Sequence, residues 1–255
     1  MKNQSLIDYT LHLADNALII GHRNSEWCGH GPILEQDIAI SNIALDLIGQ
    51  ARNLYQYAAE LKGDHATEDS LAYLRDGWDF KNLLITELPN GDWAQTILRQ
   101  FFFSTYQYFL YQQLQHSKDE RLAAIAAKAL KEVTYHLRWS SEWVIRLGDG
   151  TDESKQRMEK AVEELYAFTG EMFLPTDYEK ELATNGISVG PESLKEKWTD
   201  KVRSVFEEAT LASPFKENNS AWMQSGGKEG KHTEHLGFVL AEMQFLQRAY
   251  PGAEW

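Results

Sequence analysis

Glu132 and His136 stand four residues apart in KEVTYHLRW, residues 131–139, inside a stretch with helical apolar spacing. Carboxylate and imidazole on one helical face are the donors with which helical bundles hold iron. A di-iron carboxylate bundle takes a Glu from each of two helices and a Glu-x-x-His from each of the other two. The i,i+3 spacing stacks both donors about one turn apart, so that both reach the same metal pair. Here the in-frame partner of Glu132 is Tyr135, and His136 is turned about 100° farther round the helix. The matching frame in an earlier helical stretch is Asp46-Leu47-Ile48-Gly49, a shorter acid and a residue with no side chain to ligate anything. No acid occurs between Trp93 and Asp119, where another Glu is required; the functional groups there are amides and hydroxyls such as Ser104, Thr105 and Gln107. Two hard cations about 4 Å apart need more negative charge than two carboxylates supply. The frame reads as vestigial, with no catalytic, cofactor-binding or metal-binding residue in this chain. Two occupants of the space stay open: a buried network joining Glu132 and His136 to Arg52, Arg138 or Asp46, or a degenerate single-metal site.

Two other constellations could do chemistry. In GGKEGKHTEHLG, residues 226–237, His232 and His235 are spaced i,i+3 with Glu229 and Glu234 nearby, donor types that suit zinc. The competing reading is a loop that docks the last helix, with Thr233 as its N-cap. The stretch has neither the H-E-x-x-H nor the P-loop frame. In EWCGHGP, residues 26–32, Cys28 and His30 would need a third group to orient them as a nucleophilic pair, and a tight interhelical turn held by Trp27 accounts for the same residues.

The elements that would position these groups are helical. Strand alternation is almost absent, and the six prolines fall where helical patterns start or stop. The spacing predicts helices near 5–21, 33–62, 68–87, 92–116, 120–147 and 152–173. Shorter helices follow near 178–184, 191–210 and 232–249. This is an all-α chain, a four-helix bundle with additional C-terminal helices, in a single domain spanning 1–255. The more polar stretch 175–231, with Asn218 and Asn219, reads as its peripheral arm. Between Ile38 and Ala59 only Asp46 and Arg52 are charged, which predicts a helix at the centre of a bundle, with Asn42, Asp46, Gly49 and Asn53 as a polar or small stripe. Residues 100–116, QFFFSTYQYFLYQQLQH, carry no Asp, Glu, Lys or Arg and are expected in the core or against a partner.

Composition narrows the function. A formal net charge of −13 would repel phosphate backbones and anionic lipid, so neither nucleic acid nor membrane is an expected partner. A single cysteine permits no internal disulfide, and the first residues lack a signal peptide's apolar core; the expected location is cytoplasmic. Aromatics at 12% can fill a core but are also what large protein interfaces favour, and Tyr55, Tyr57, Phe103, Tyr108 and Tyr111 are expected to be shared between core and interface.

Three stretches together, SEWCGHGPILEQDIAISNIALDLIGQARN, KALKEVTYHLRWS and GGKEGKHTEHLGFVLAEMQFLQRAYPG, resemble the PaaC family, the structural subunits of the bacterial phenylacetyl-CoA epoxidase, a multicomponent monooxygenase of phenylacetate degradation. The resemblance covers essentially the whole chain. It implies a ferritin-like bundle, a structural subunit without iron that scaffolds the related di-iron catalytic subunit, PaaA, as a heterodimer. It also implies a small bridging subunit and a reductase carrying NADPH, FAD and iron–sulfur chemistry. A CoA thioester at the edge of such an interface could meet Asp79, Phe80, Lys81 and Asn82, which offer an aromatic face, a cation and an amide; the other reading of RDGWDFKN is an exposed helix with Trp78 and Phe80 facing the core. Two functions of other classes compete with the scaffold: a self-sufficient metallo-oxidase with a reduced ligand set, and a stand-alone helical adaptor.

Overall fold

The computed structural model describes residues 4–215 and 223–253 of the chain, and among them no strand occurs. The fold class is all-α, as the helical spacing predicts, and ferritin-like, as the resemblance implies. The chain forms two compact units, one from the segment up to Pro89 together with Gly226 onward, the other from Asn90–Ser225. The polar stretch 175–231 is divided between them; Asn218 and Asn219 lie outside the described residues.

The first unit is built on a long hairpin of α1 (Gln4–Ser25) and α2 (Leu34–Lys62), packed along their length. The turn between them contains the EWCGHGP stretch; the Asp37 carboxylate accepts the Gly31 N–H at 2.9 Å, and Cys28 is exposed. One side of α2 is core: Ile40, Ile43, Ala44, Leu47, Ala51 and Leu54 are buried. The other side faces out, and it carries both the Asn42–Gly49 stripe and the exposed side chains of Leu34, Ile38 and Leu45. The expectation of a helix surrounded on all sides is therefore corrected, because α1 covers only one face of α2 within this unit.

The helix predicted over 68–87 is broken. α3 (Glu68–Tyr73) ends one turn before a 3₁₀ turn at Gly77–Asp79, and α4 (Leu84–Glu87) is a single turn. The backbone between them is extended because side chains of α1 capture it: Asp15 accepts the Lys81 N–H at 2.8 Å and Asn16 accepts the Leu83 N–H at 2.7 Å. Donors held by side chains do not enter a helical ladder.

The second unit starts with a matching hairpin of α5 (Trp93–Leu114) and α6 (Glu120–Gly148). Asp92 caps α5 through the Gln95 N–H, and Asp119 caps α6 through the Leu122 N–H. The uncharged run 100–107 is wholly buried. α7 (Asp152–Leu165) stops earlier than predicted and passes into 3₁₀ turns at Tyr166–Phe168 and Gly170–Phe173. α8 (Asp177–Thr184) and α9 (Lys195–Glu208) follow, and Trp198 of α9 donates its indole N–H to the Phe102 carbonyl at 3.0 Å within a cluster that includes Phe173 and Phe206. The chain then returns to the first unit with α10 (Glu234–Ala249), capped by Thr233 as expected.

Candidate functional site

The residues of the iron frame are placed unlike a ligand set. On α2, Gly49 is exposed and a Cβ built on it would meet no atom within 4 Å, while Asp46 is half-buried. On α6, Glu132 is half-buried, Tyr135 turns outward beneath the Arg138 guanidinium at 5.7 Å, and His136 is fully buried. The i,i+3 frame of Glu132 and Tyr135 is thus not the inward one, because the helix buries the i+4 position. Glu132 acts on α5 instead: burial pushes the Tyr111 phenol up, a hydrogen bond from Gln107 works against that, and the Glu132 charge raises it further. Two of the arginines expected to join this network are engaged elsewhere, Arg52 with Glu68 at 3.7 Å and Arg138 over Tyr135. Among the described residues no group of three or more His, Cys, Asp or Glu could hold a metal ion. With a glycine and an outward tyrosine at the two His positions, these residues do not fit a di-iron centre.

Two of the sequence motifs do meet, in the first unit. The RDGWDFKN segment and the GGKEGKHTEH loop are locked together around Glu87. His232 places Nδ1 at 2.8 Å from a Glu87 carboxylate oxygen and Nε2 at 2.9 Å from the Phe80 carbonyl. Both partners offer acceptor oxygens, so the arrangement suits an imidazolium, which donates from both ring nitrogens. The Thr233 N–H and the Asn82 amide also donate to the Glu87 carboxylate, at 2.6 and 2.8 Å, and Arg23 holds the Glu87 carbonyl. Burial disfavours the imidazolium, but the bond and charge of Glu87 and the Phe80 carbonyl outweigh it and raise the His232 pKa. Both nitrogens are taken up by protein oxygens, so the docking-loop reading of this motif is the one the geometry supports.

The glycines of the loop allow the backbones to touch. A Cβ on Gly227 would lie 2.2 Å from the Asn82 carbonyl oxygen, and one on Gly230 would lie 2.3 Å from that of Trp78 at a φ of +82°. Only glycine fits such an approach in the left-handed region.

Beneath this loop lies a second buried cluster. Asp15 accepts hydrogen bonds from the Arg75 guanidinium and from the Tyr55 hydroxyl, the latter at 2.5 Å. The Arg75 guanidinium also lies 4.2 Å over the Phe80 ring. Burial works against the Arg75 charge, yet Asp15 overcomes it and raises the pKa; burial first, then Asp15, raises that of Tyr55. Buried ions persist when each is matched by a counter-charge and further hydrogen bonds, and here both conditions hold.

This packing takes Phe80 and Asn82 out of the pocket edge expected at Asp79–Asn82 and leaves Asp79 exposed and Lys81 half-buried. Phe80 is buried under Arg75, and the Asn82 amide is spent on Leu83, Thr86 and Glu87. Asp79 accepts the Asp76 N–H in its own 3₁₀ turn, and Lys81 lies 3.6 Å from Asp8. Trp78, expected to face the core, is 81% exposed instead. Of the aromatics expected to be shared between core and interface, Tyr55, Tyr57, Phe103 and Tyr111 are buried in this chain's own core, and Tyr108 is part-exposed. Glu87, Asp15 and Arg75 went unnoticed in the sequence. The available signal was a lone acid in each of two apolar runs, LLITEL and LHLADNALII.

Residues 1–255, the entire chain, match the family described as phenylacetic acid catabolic protein. The chain belongs to that family. Among curated relatives, this family member is 49% identical over 250 residues to the C subunit of the 1,2-phenylacetyl-CoA epoxidase of Escherichia coli strain K12, an alignment covering 98% of this chain and 99% of that one. Phenylacetic acid catabolic proteins take their name from phenylacetate breakdown, and this chain's role lies there. Among its described residues no helix is long and apolar enough to cross a membrane.

Proposed function

We propose that this chain is the non-catalytic structural subunit of a cytoplasmic phenylacetyl-CoA epoxidase. In this reading it scaffolds a paralogous di-iron catalytic subunit within an assembly that also contains a small bridging subunit and a reductase. The observation that carries the reading is the end-to-end match to the C subunit of that enzyme. The residues at the iron frame support it: Gly49 has no side chain, Tyr135 faces outward, and no acid stands between Trp93 and Asp119. The di-iron centre then belongs to the catalytic partner, and NADPH, FAD and iron–sulfur chemistry to the reductase. This chain's contribution is binding surface, for which the outer side of α2 is suited: Leu34, Ile38 and Leu45 are exposed along it, with Gly49 leaving room for close approach. A CoA thioester carried by the assembly would have to be held without Phe80 and Asn82.

Co-expression of the chain with the catalytic subunit, followed by size-exclusion chromatography and iron analysis, tests the reading. One heterodimeric peak is expected, with the iron on the partner and only substoichiometric iron on this chain alone after iron supplementation. Separate monomers at micromolar concentration would sink the scaffold reading. Stoichiometric iron lost on mutation of Asp46 or Glu132 would favour the metallo-oxidase.

A further inference from the structure

α10 is apolar on the wrong side as well as the right one. Its inner face, Leu236, Val239 and Leu240, is buried, and the helix is fixed in rotation by its own polar contacts. The Gln244 amide donates to the Ala72 and Arg75 carbonyls at 3.2 and 3.0 Å, and Arg248 reaches the Arg75 carbonyl and the Asp76 carboxylate at 2.7 and 2.9 Å. The outer face therefore cannot turn inward. On it Phe238, Ala241 and Phe245 recur at i, i+3 and i+7, with Leu246 beside them; Phe238 is 65% and Phe245 64% exposed. A helix exposed to water on that side carries polar residues there.

The neighbouring segment adds to the same surface. Gly77 and Asp76 face α10 across a groove of about 620 Å³, lined also by Leu240, Ala241, Phe245 and Arg248. Trp78, next in the chain, has its carbonyl pressed against Gly230 while its indole stands in solvent.

From this geometry we infer that the outer face of α10, with the groove and Trp78, is a docking surface for a protein chain other than this one, which presents an apolar segment flanked by Lys or Arg. The size of the surface argues for a macromolecule. Its three exposed aromatics leave on the order of 400 Å² of side-chain area uncovered, about half of the ~800 Å² that each partner contributes to a standard interface. The charge argues against a second copy. Asp76 and Arg248 pair with each other in the groove, which leaves Asp79 and Glu242 as exposed acids beside it. Two copies of a chain of net charge −13 would set acid against acid, whereas a basic-rimmed partner would complement it. The inference rests on the scaffold reading for the source of that partner, and it adds a surface separate from the outer side of α2.

Hydrogen exchange on the full chain, alone and co-assembled with the other epoxidase subunits of its host, tests the inference together with the variants Phe245→Asp and Trp78→Ser. Slower exchange in α10 and in residues 76–79 is expected only in the assembly. Each variant is expected to keep its helical circular dichroism and to weaken assembly by at least about 30-fold, the loss typical of an interface hot spot. The wild-type affinity should fall as salt is raised. A chain that assembles normally while α10 exchanges as freely as before overturns the inference and leaves the scaffold reading standing. A chain that assembles with nothing overturns both. Protection of α10 that grows with the concentration of this chain alone would identify a second copy as the occupant and overturn the inference.

Discussion

Asp15 of α1 and Arg75, 60 positions apart in sequence, form a buried ion pair in which two guanidinium nitrogens reach the two carboxylate oxygens. Around that pair the extended segment before α4 is fastened to α1, since Asp15 also takes the Lys81 N–H and Arg75 donates to the Asp79 carbonyl. Removing one ion leaves the other in an apolar interior. Asp15→Ala is expected to cost about 3–5 kcal/mol in chemical denaturation of the isolated chain. Tyr55→Phe, which removes one hydrogen bond and no charge, should cost about 1–2 kcal/mol. Equal losses from the two would mean that the buried charges matter no more than a single hydrogen bond.

The His232–Glu87 pair should make stability depend on pH. The imidazolium has a folded-state pKa above its ordinary value of about 6.5, so its stabilisation is fully present below that value and is lost as pH rises through the folded pKa. Thermal unfolding followed from pH 6 upward should show a midpoint that falls with pH, and His232→Ala should flatten that fall. At the low end of this range the variant should be less stable by about 2–4 kcal/mol, because the buried Glu87 carboxylate loses its cation. A wild-type midpoint that rises through the same window would contradict the assigned charge state.

Glu132 is half-buried, so its removal should be mild. Glu132→Ala is expected to cost about 0.5–1.5 kcal/mol, well short of the loss for a buried ion pair. Under the scaffold reading, activity of the assembled epoxidase should fall only as far as the folded fraction of this subunit falls. Normal stability joined to a catalytically dead assembly would give Glu132 a direct chemical role.

Gly49 offers a test of opposite sign. It lies inside α2 with open space where a Cβ would point. Gly49→Ala should stabilise the isolated chain by about 0.5–1 kcal/mol through helix propensity alone. The same variant should weaken the heterodimer if the partner packs closely against that side of α2. Affinity measured by titration calorimetry beside the stability measurement separates the two effects.

How much of this was legible beforehand differs by element. α2 and α6 were legible because 29 residues of sustained helical spacing outweigh local noise. The lack of a side-chain donor at Gly49 was legible from residue type alone, since glycine cannot ligate through a side chain in any conformation. The break after Tyr73 was not, because its cause lies in Asp15 and Asn16 of another helix, whose side chains take the Lys81 and Leu83 donors. Nor was the role of His232: the sequence displayed a histidine near other donors, and only a partner 145 residues away showed that both its nitrogens were committed. For the aromatics, Phe103 and Phe245 look alike in sequence, yet one is enclosed by its own chain and the other stands in water.

The first unit is closed by the chain's last described residues, and this imposes an order on its making. Residues 90–225 form a contiguous unit whose whole chain is synthesised before the segment that closes the first. The unit begun earlier cannot be completed at that stage, because the cation that neutralises Glu87 and the N–H of Thr233 have not yet been synthesised. During that interval the nascent chain exposes an acid meant for an apolar interior, together with the apolar surface that α10 will cover. Translation halted anywhere between residues 226 and 232 would therefore release a chain whose first unit stays open to chaperones and proteases.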